Sequence, residues 1–148
     1  MASKKIPKIH KTSYTALIPQ FAILLIIAFI FYLLQVPRYA IMSVAIYLLL
    51  SFYLKILIPR WHRKGIFYLK KGELEASVYA FKKSFIFFTR YQWIDKYRAF
   101  TLFSISSLSY TEMALMNIIF CYNQMGDNKK AEEHRKILKE IFPKNPYI

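Results

Sequence analysis

The chain has 148 residues, of which 56% are hydrophobic and 18% aromatic, and its formal net charge at pH 7 is +14. A single cysteine, Cys121, excludes an intrachain disulfide framework and is in keeping with a reducing compartment. The three histidines, His10, His62 and His134, are far apart, and no His or Cys pair has the spacing of metal ligands. We therefore expect no metal site, no cofactor and no catalytic centre.

Two apolar runs follow a basic N-terminal segment, residues 1–13. They cover residues 14–36 and 39–58 and are separated by little more than Pro37-Arg38. A helix needs about 20 predominantly apolar residues to cross the hydrocarbon core of a bilayer. The sequence therefore predicts a transmembrane helical hairpin over residues 14–58. The first run is longer than the apolar core of a signal peptide, and no small-residue cleavage pattern follows it, so we expect it to be retained.

The orientation of the hairpin is predicted by the distribution of lysine and arginine. Basic residues precede the first run and follow the second, whereas the loop between them contains only Arg38. The positive-inside rule then places both termini in the cytoplasm. Lys55, near the end of the second run, is expected to extend its long side chain to the headgroups. The tyrosines near the ends of the runs suit an aromatic belt: Tyr14, Tyr32, Tyr39 and Tyr53.

The excess of basic residues lies close to the predicted membrane. Ten basic and three acidic residues lie from Arg60 to Arg98, whereas residues 112–148 are nearly balanced. Anionic headgroups attract basic side chains near the surface by about 1 kcal/mol each. Anionic membrane lipids are thus predicted partners, and nucleic acid, for which no motif is visible, is not. The predicted headgroup contacts are Arg60, Trp61, Arg63, Lys64, Lys70 and Lys71.

Residues 59–148 are expected to form one small all-α domain in the cytosol. Apolar residues at helical spacing and the stop signals Gly72 and Gly126-Asp127 predict helices at 62–71, 73–88, 93–104, 111–125 and 129–142. Ser109 or Thr111 is the expected cap of the fourth of these helices. In the helix at 93–104, the aromatic residues are expected along one side: Trp93, Tyr97, Phe100 and Phe103.

Two of these helical hairpins resemble tetratricopeptide repeats (TPR), which have a 34-residue unit. The unit at about 58–91 has the expected residue types at six positions, Trp61, Gly65, Tyr68, Ser77, Phe81 and Ser84, and the unit at about 112–145 has them at Leu115, Ile118, Tyr122, Ala131 and Pro143. The pattern is broken at Thr89, Ile119 and Arg135. The helix at 93–104 and its serine-rich connection account for the extra residues between the units. Together with the hairpin, this resembles membrane-anchored TPR proteins of bacterial type.

The resemblance implies an interaction module and not an enzyme. Such a chain is expected to act as an adaptor or scaffold that binds a protein partner or peptide segment at the cytoplasmic membrane face. In the family, the first helix of each repeat lines the concave face, which corresponds here to Pro59, His62, Ile66, Leu69 and Lys70 and to Met113, Met116, Phe120, Asn123 and Gln124. These mostly apolar residues predict an apolar ligand segment. The same residues are equally compatible with the domain's own core, covered by the helix at 93–104.

Two other function classes stay open at this point. Ser43, Tyr47 and Ser51 recur at four-residue spacing on one face of the second run, as in contacts between membrane helices. This pattern favours an accessory subunit of a transporter or channel, or a hairpin that oligomerises with further copies of the chain; the alternative interpretation is packing inside the hairpin itself. A membrane-bound enzyme is the third class, for which no catalytic constellation is visible.

Overall fold

The computed structural model describes residues 17–104 and 106–145. Within this part of the chain there are eight α-helices and no strand, which confirms the predicted all-α fold. The basic segment predicted at 1–13, the start of the first apolar run at Tyr14 and the C-terminal residues 146–148 lie outside the described residues.

The chain begins its described part with two apolar helices that pack against each other, α1 (Leu17–Leu33) and α2 (Tyr39–Leu57). The turn between them uses left-handed backbone at Gln35 and Arg38, with φ angles of 52° and 55°. The rings of Tyr32 and Tyr39 meet edge to face across this turn, with 5.7 Å between their centroids. The turn therefore reverses the chain within a few residues.

Helix α3 (Arg60–Lys71) follows α2 after only Ile58 and Pro59, and α4 (Leu74–Arg90) follows α3. Gly72 ends α3 with a φ of 80°, and its N–H donates to the Leu69 carbonyl. A left-handed residue at this position commonly closes a helix, and glycine adopts it without steric penalty.

The prediction of a single helix at 93–104 is wrong. The structure has two short helices instead, α5 (Gln92–Lys96) and α6 (Arg98–Thr101). The Thr101 hydroxyl donates to the Ile94 carbonyl over 2.6 Å. Side-chain hydrogen bonds of this kind compete with the regular helical pattern, and they account for the interruption that the apolar spacing did not indicate.

The aromatic residues of this segment do not share one side. Phe103 has a left-handed φ of 49° and is buried, whereas Trp93, Tyr97 and Phe100 are exposed. Helix α6 packs against α1, and α5 packs against α4. The expected aromatic stripe is therefore divided between the interior and the surface.

The last two helices agree closely with the predicted boundaries. Helix α7 (Tyr110–Met125) begins with a capping box in which Ser109 and Glu112 exchange side-chain-to-backbone hydrogen bonds, which confirms Ser109 as the cap. Gly126, with a φ of 77°, ends α7. Helix α8 (Asn128–Ile141) is capped by Asp127, whose side chain accepts a hydrogen bond from the Lys130 N–H.

The core lies where α4 packs against both α3 and α7, and α8 packs against α7. Gly65 allows α3 to approach α4, since a Cβ at this position would lie 2.7 Å from Cδ1 of the fully buried Phe81. The Ser77 hydroxyl donates to the Gly65 carbonyl over 3.0 Å. The buried cluster consists of Leu69, Val78, Phe81, Leu115, Ile118, Ile119, Cys121, Tyr122, Ala131 and Leu138.

Candidate functional site

The outer faces of α1 and α2 are apolar and uncovered in the described structure. Helix α2 has 19 residues and a mean hydropathy of 2.0, and only 11% of its apolar window is buried. By length and composition it qualifies to cross a membrane; α1 is also apolar but has 17 described residues. The exposed side chains include Phe21, Leu25, Phe29, Leu48, Leu49 and Phe52. Soluble monomers rarely expose contiguous apolar patches above a few hundred Å², and larger patches mark membrane or protein–protein interaction sites.

The two serines of α2 face inward. Ser43 and Ser51 are buried, and the Ser43 hydroxyl donates to the Tyr39 carbonyl over 2.6 Å. Tyr47, which lies between these serines in the sequence, is half-buried, and its ring contacts the ring of Phe103. The three side chains that the sequence connected with a second membrane protein are therefore covered within the chain.

Residues 91–104, here called the junction segment, join the apolar helices to the rest of the domain. The Phe103 ring packs edge to face on Tyr47, with 5.2 Å between centroids. Leu102 forms a small buried cluster with Ile94 and Phe88, and Ile58 at the end of α2 packs against it. The helical domain is thus held against the apolar helices by side-chain packing as well as by the short connection.

A polar network inside the junction segment fixes its position on α7. The buried Asp95 carboxylate accepts hydrogen bonds from the N–H groups of Tyr110 and Thr111, at 2.8 and 2.9 Å, and from the Thr111 hydroxyl. These are N–H groups of the first turn of α7, which have no acceptor within the helix. Asp95 was not among the predicted residues, because no local pattern links it to a helix that begins 15 residues later.

Arg98 satisfies the backbone of the same region. Its guanidinium donates to the carbonyl groups of Asp95, Ser106 and Ser107, over 3.2, 2.9 and 2.6 Å. A planar group with five N–H donors can hold several carbonyls at once. The serine-rich connection after α6 is therefore tied down by Arg98, which the sequence suggested only as one more basic residue.

A second surface, the basic-aromatic face, covers the outside of α3 and α4. Of the predicted headgroup contacts, Arg60, Arg63, Lys64, Lys70 and Lys71 are exposed and Trp61 is half-buried. The Lys64 ammonium lies 4.8 Å from the centre of the Trp61 ring, and the Lys71 ammonium lies 4.5 Å from that of Phe67. Cations above ring faces are attracted by the ring quadrupole, so the charges and rings of this face form one mixed surface.

Helix α4 extends this face with residues that the sequence analysis missed. Tyr79 meets Trp61 edge to face at 6.3 Å, and the Lys83 ammonium lies 5.4 Å from the Tyr79 ring centre. Ile86 is 60% exposed on the next turn. The spacing of Tyr79, Lys83 and Ile86 by four and three residues was available as a signal, since such residues share a helix face.

The predicted partner-binding residues are divided between core and surface. His62 and Leu69 are buried, and Ile66, Met116 and Phe120 are partly buried and packed against the core, while Met113 is half-buried. Lys70, Asn123 and Gln124 are exposed. The structure brings the two predicted sets onto neighbouring helices, since α3 contacts α7. Their role in binding stays a prediction.

His62 is the most unusual titratable group of the domain. Its ring lies 5.2 Å from each of two aromatic rings, Phe81 and Tyr110, and its Nδ1 atom finds no hydrogen-bond partner among the described residues. Burial lowers the pKa of His62 from 6.5 to about 4, because an apolar environment disfavours the charged ring. The side chain is therefore a neutral core residue at physiological pH.

Across residues 17–104 and 106–145, no three His, Cys, Asp or Glu side chains converge as metal ligands would. Cys121 is fully buried beside the Ser77 hydroxyl, and burial raises the pKa of its thiol. A thiol with a raised pKa is a poor nucleophile. No family model, curated protein or solved structure matches the chain.

Proposed function

We propose that this chain is a membrane-anchored TPR-like adaptor, in which α1 and α2 form a two-span hairpin and α3 to α8 hold a protein partner at the cytoplasmic face. The observation that carries the proposal is the direct connection between an uncovered apolar helix pair and a packed helical domain. Only Ile58 and Pro59 separate α2 from α3. A domain joined and packed in this way stays next to the bilayer in a fixed orientation.

Exposure and length support the two-span anchor. At 1.5 Å per residue, the 17 described residues of α1 extend about 26 Å and the 19 of α2 about 28 Å, close to the thickness of a hydrocarbon core of about 30 Å. Neither helix contains an acidic residue, and Lys55, the only basic one, lies in the last turn of α2. The basic residues of α3 and the single Arg38 of the turn support cytoplasmic termini.

The packing of α3, α4, α7 and α8 supports the TPR-like assignment. In α-solenoids, helix pairs stack so that the second helix of one pair also packs against the next pair. Here α4 packs against both α3 and α7, and α8 packs against α7. The close approach of Gly65 to Phe81 is also what the small and aromatic positions of a repeat would require. The insertion of the junction segment between the pairs departs from a regular repeat.

The surface proposed for the partner is the α3–α7 face. Its exposed residues, Lys70, Asn123 and Gln124, provide a polar margin, and the half-buried Met113 and Met116 provide apolar, adaptable side chains. An amphipathic helix or apolar peptide segment has the matching chemistry, because anchors at helical spacing fill such grooves. The proposed partner is therefore a protein segment, with anionic lipids as the second binding partner at the basic-aromatic face.

Site-specific photocrosslinking of the full chain in its native membrane tests the adaptor function. A photoreactive amino acid is placed at Asn123 or Gln124 on the α3–α7 face and, as a matched control, at the exposed Lys136 of α8. The proposal expects a discrete crosslinked product of the same mass from both face positions and none from Lys136. Absence of a product at both face positions, or the same pattern from all three, contradicts it.

A further inference from the structure

The junction segment lies beside the apolar helices and not beyond their end. Helix α6 packs against α1, and Phe103 contacts Tyr47, near the middle of α2. Leu102 belongs to the cluster on which Ile58 packs, just after the end of α2. The segment therefore contacts α1 through α6 and the middle of α2 through Phe103.

The outward-facing side chains of the junction segment are mostly aromatic. Trp93 is 60% exposed, Tyr97 52% and Phe100 49%. Helix α6, which carries Phe100, packs against the uncovered apolar helix α1. Tryptophan and tyrosine combine an apolar body with a polar tip and are enriched where hydrocarbon meets headgroups.

The charged groups of the segment do not oppose this placement. Asp95 is only 4% exposed, and its carboxylate is saturated by donors from α7. The N–H groups of Arg98 donate hydrogen bonds to three backbone carbonyls. The Lys96 ammonium lies 5.6 Å from the Tyr97 ring centre at the end of a long side chain that can extend to phosphates. Polar groups that are satisfied internally are what a low-dielectric environment requires.

The backbone at Phe103 adds an independent indication. A bulky residue with a φ of 49° is strained, and such strain persists only where the surroundings enforce it. Here the left-handed conformation accompanies the seating of the Phe103 ring, 2% exposed, against Tyr47 of α2. Leu102 and Phe103, the two residues that directly follow α6, are therefore covered by protein, as non-helical residues at membrane depth must be.

We propose that the junction segment is a lipid-binding element, with Trp93, Tyr97 and Phe100 inserted at the boundary between headgroups and acyl chains. Interfacial elements of this kind bury their apolar face about 5–10 Å into that boundary. The leaflet is the one at the Leu57 end of α2, because Ile58, just after that end, packs against the cluster that contains Ile94 and Leu102 of the segment. The inference rests on the proposed membrane anchor. It means that the helical domain contacts the bilayer surface directly, in addition to being anchored to it by α1 and α2.

Tryptophan quenching in lipid vesicles tests the proposal on the full chain. The protein has two tryptophans, so the Trp61→Phe variant leaves Trp93 as the only one. Vesicles contain phosphatidylcholine brominated either near the headgroup end or near the methyl end of its acyl chains. Two reference variants lack both native tryptophans: one carries Leu49→Trp on the exposed face of α2, and the other carries Lys136→Trp on α8.

We expect Trp93 to lose emission more strongly with bromine near the headgroup end and to be shielded from the aqueous quencher acrylamide. The Leu49→Trp variant should be quenched by bromolipid, and the Lys136→Trp variant by acrylamide alone. If Leu49→Trp is quenched by bromolipid and Trp93 is not, the proposed anchor stands but the lipid-binding role of the junction segment is overturned. Shielding of Trp93 from both quenchers would also overturn that role and assign this surface to a protein neighbour. If Leu49→Trp does not respond either, the anchor fails together with this inference.

Discussion

The ring of Phe81 lies directly against the backbone of Gly65, so that a side chain at Gly65 would collide with it: an added Cβ would be 2.7 Å from both Cδ1 and Cε1 of the ring. Phe81 is fully buried. The contact between α3 and α4 therefore depends on the absence of a single methyl group.

Replacement of Gly65 by alanine is expected to destabilise the domain by about 1–3 kcal/mol, because overpacking forces neighbouring side chains out of their rotamers. Urea unfolding of the full chain in mild detergent measures the loss. In a Phe81→Leu background, where the ring is absent, the same Gly65→Ala change should cost much less. Equal costs in the two backgrounds would show that the collision with Phe81 is not the reason.

The buried Asp95 is expected to be worth more than a typical helix cap. Asp95→Ala removes three hydrogen bonds to an ionised group and leaves two N–H groups of α7 without their acceptor, so we expect a loss of about 2–3 kcal/mol. Asp127, which caps α8 at the surface, is the matched control, and Asp127→Ala should cost less than Asp95→Ala. Equal losses in urea unfolding would contradict the role of Asp95 in fixing the junction segment.

The pH dependence of stability should contain a contribution from His62. Its pKa in the folded chain, about 4, is lower than the 6.5 of an unfolded chain, so the unfolded state binds the proton first. Stability is therefore highest above pH 6.5 and falls as the pH is lowered towards 4, by about 3 kcal/mol at about 1.36 kcal/mol per pH unit. His62→Phe should abolish this part of the decrease, and His134→Gln should not. The difference between the wild-type chain and each variant, measured from pH 7 to 4, separates this contribution from that of the carboxylates.

The basic-aromatic face should respond to anionic lipid. In a Trp93→Phe variant, Trp61 is the only tryptophan, and its emission should shift to shorter wavelength as the anionic lipid content of the vesicles rises. Replacement of Arg60, Arg63, Lys64, Lys70 and Lys71 by Gln should remove the shift, and high salt should reduce it by screening. Replacement of the exposed Lys129, Lys136 and Lys139 of α8 by Gln is the control. If both sets have the same effect, the interaction is due to net charge and not to this face.

The helix boundaries of the domain were predictable because their signals are local. Gly72 and Gly126 end helices by adopting a left-handed conformation that glycine favours, and Ser109 and Glu112 form a cap within four residues. The exposure of the α3 residues in the basic-aromatic face was predictable for the same reason, since Lys64 and Lys71 follow helical spacing. Features that depend on one helix alone can be inferred from its sequence.

The junction segment could not be predicted, because its structure depends on contacts that are distant in sequence. Asp95 binds the start of α7, and Phe103 packs on Tyr47, 56 positions earlier in the chain. Apolar spacing favoured one continuous helix at 93–104, whereas these tertiary contacts and the hydrogen bond of Thr101 favour two short helices. The same reason explains why Trp93, Tyr97 and Phe100 came to be exposed when Phe103 did not.

Thiol labelling in intact cells tests most directly whether the α1–α2 turn and the helical domain lie on opposite sides of the membrane. The only native thiol, Cys121, is fully buried and serves as an internal blank. Arg38→Cys in the turn should react with a membrane-impermeant maleimide on intact cells, whereas Lys144→Cys after α8 should react only once the membrane is permeabilised. Labelling of Lys144→Cys on intact cells, or of Arg38→Cys only after permeabilisation, would contradict the account.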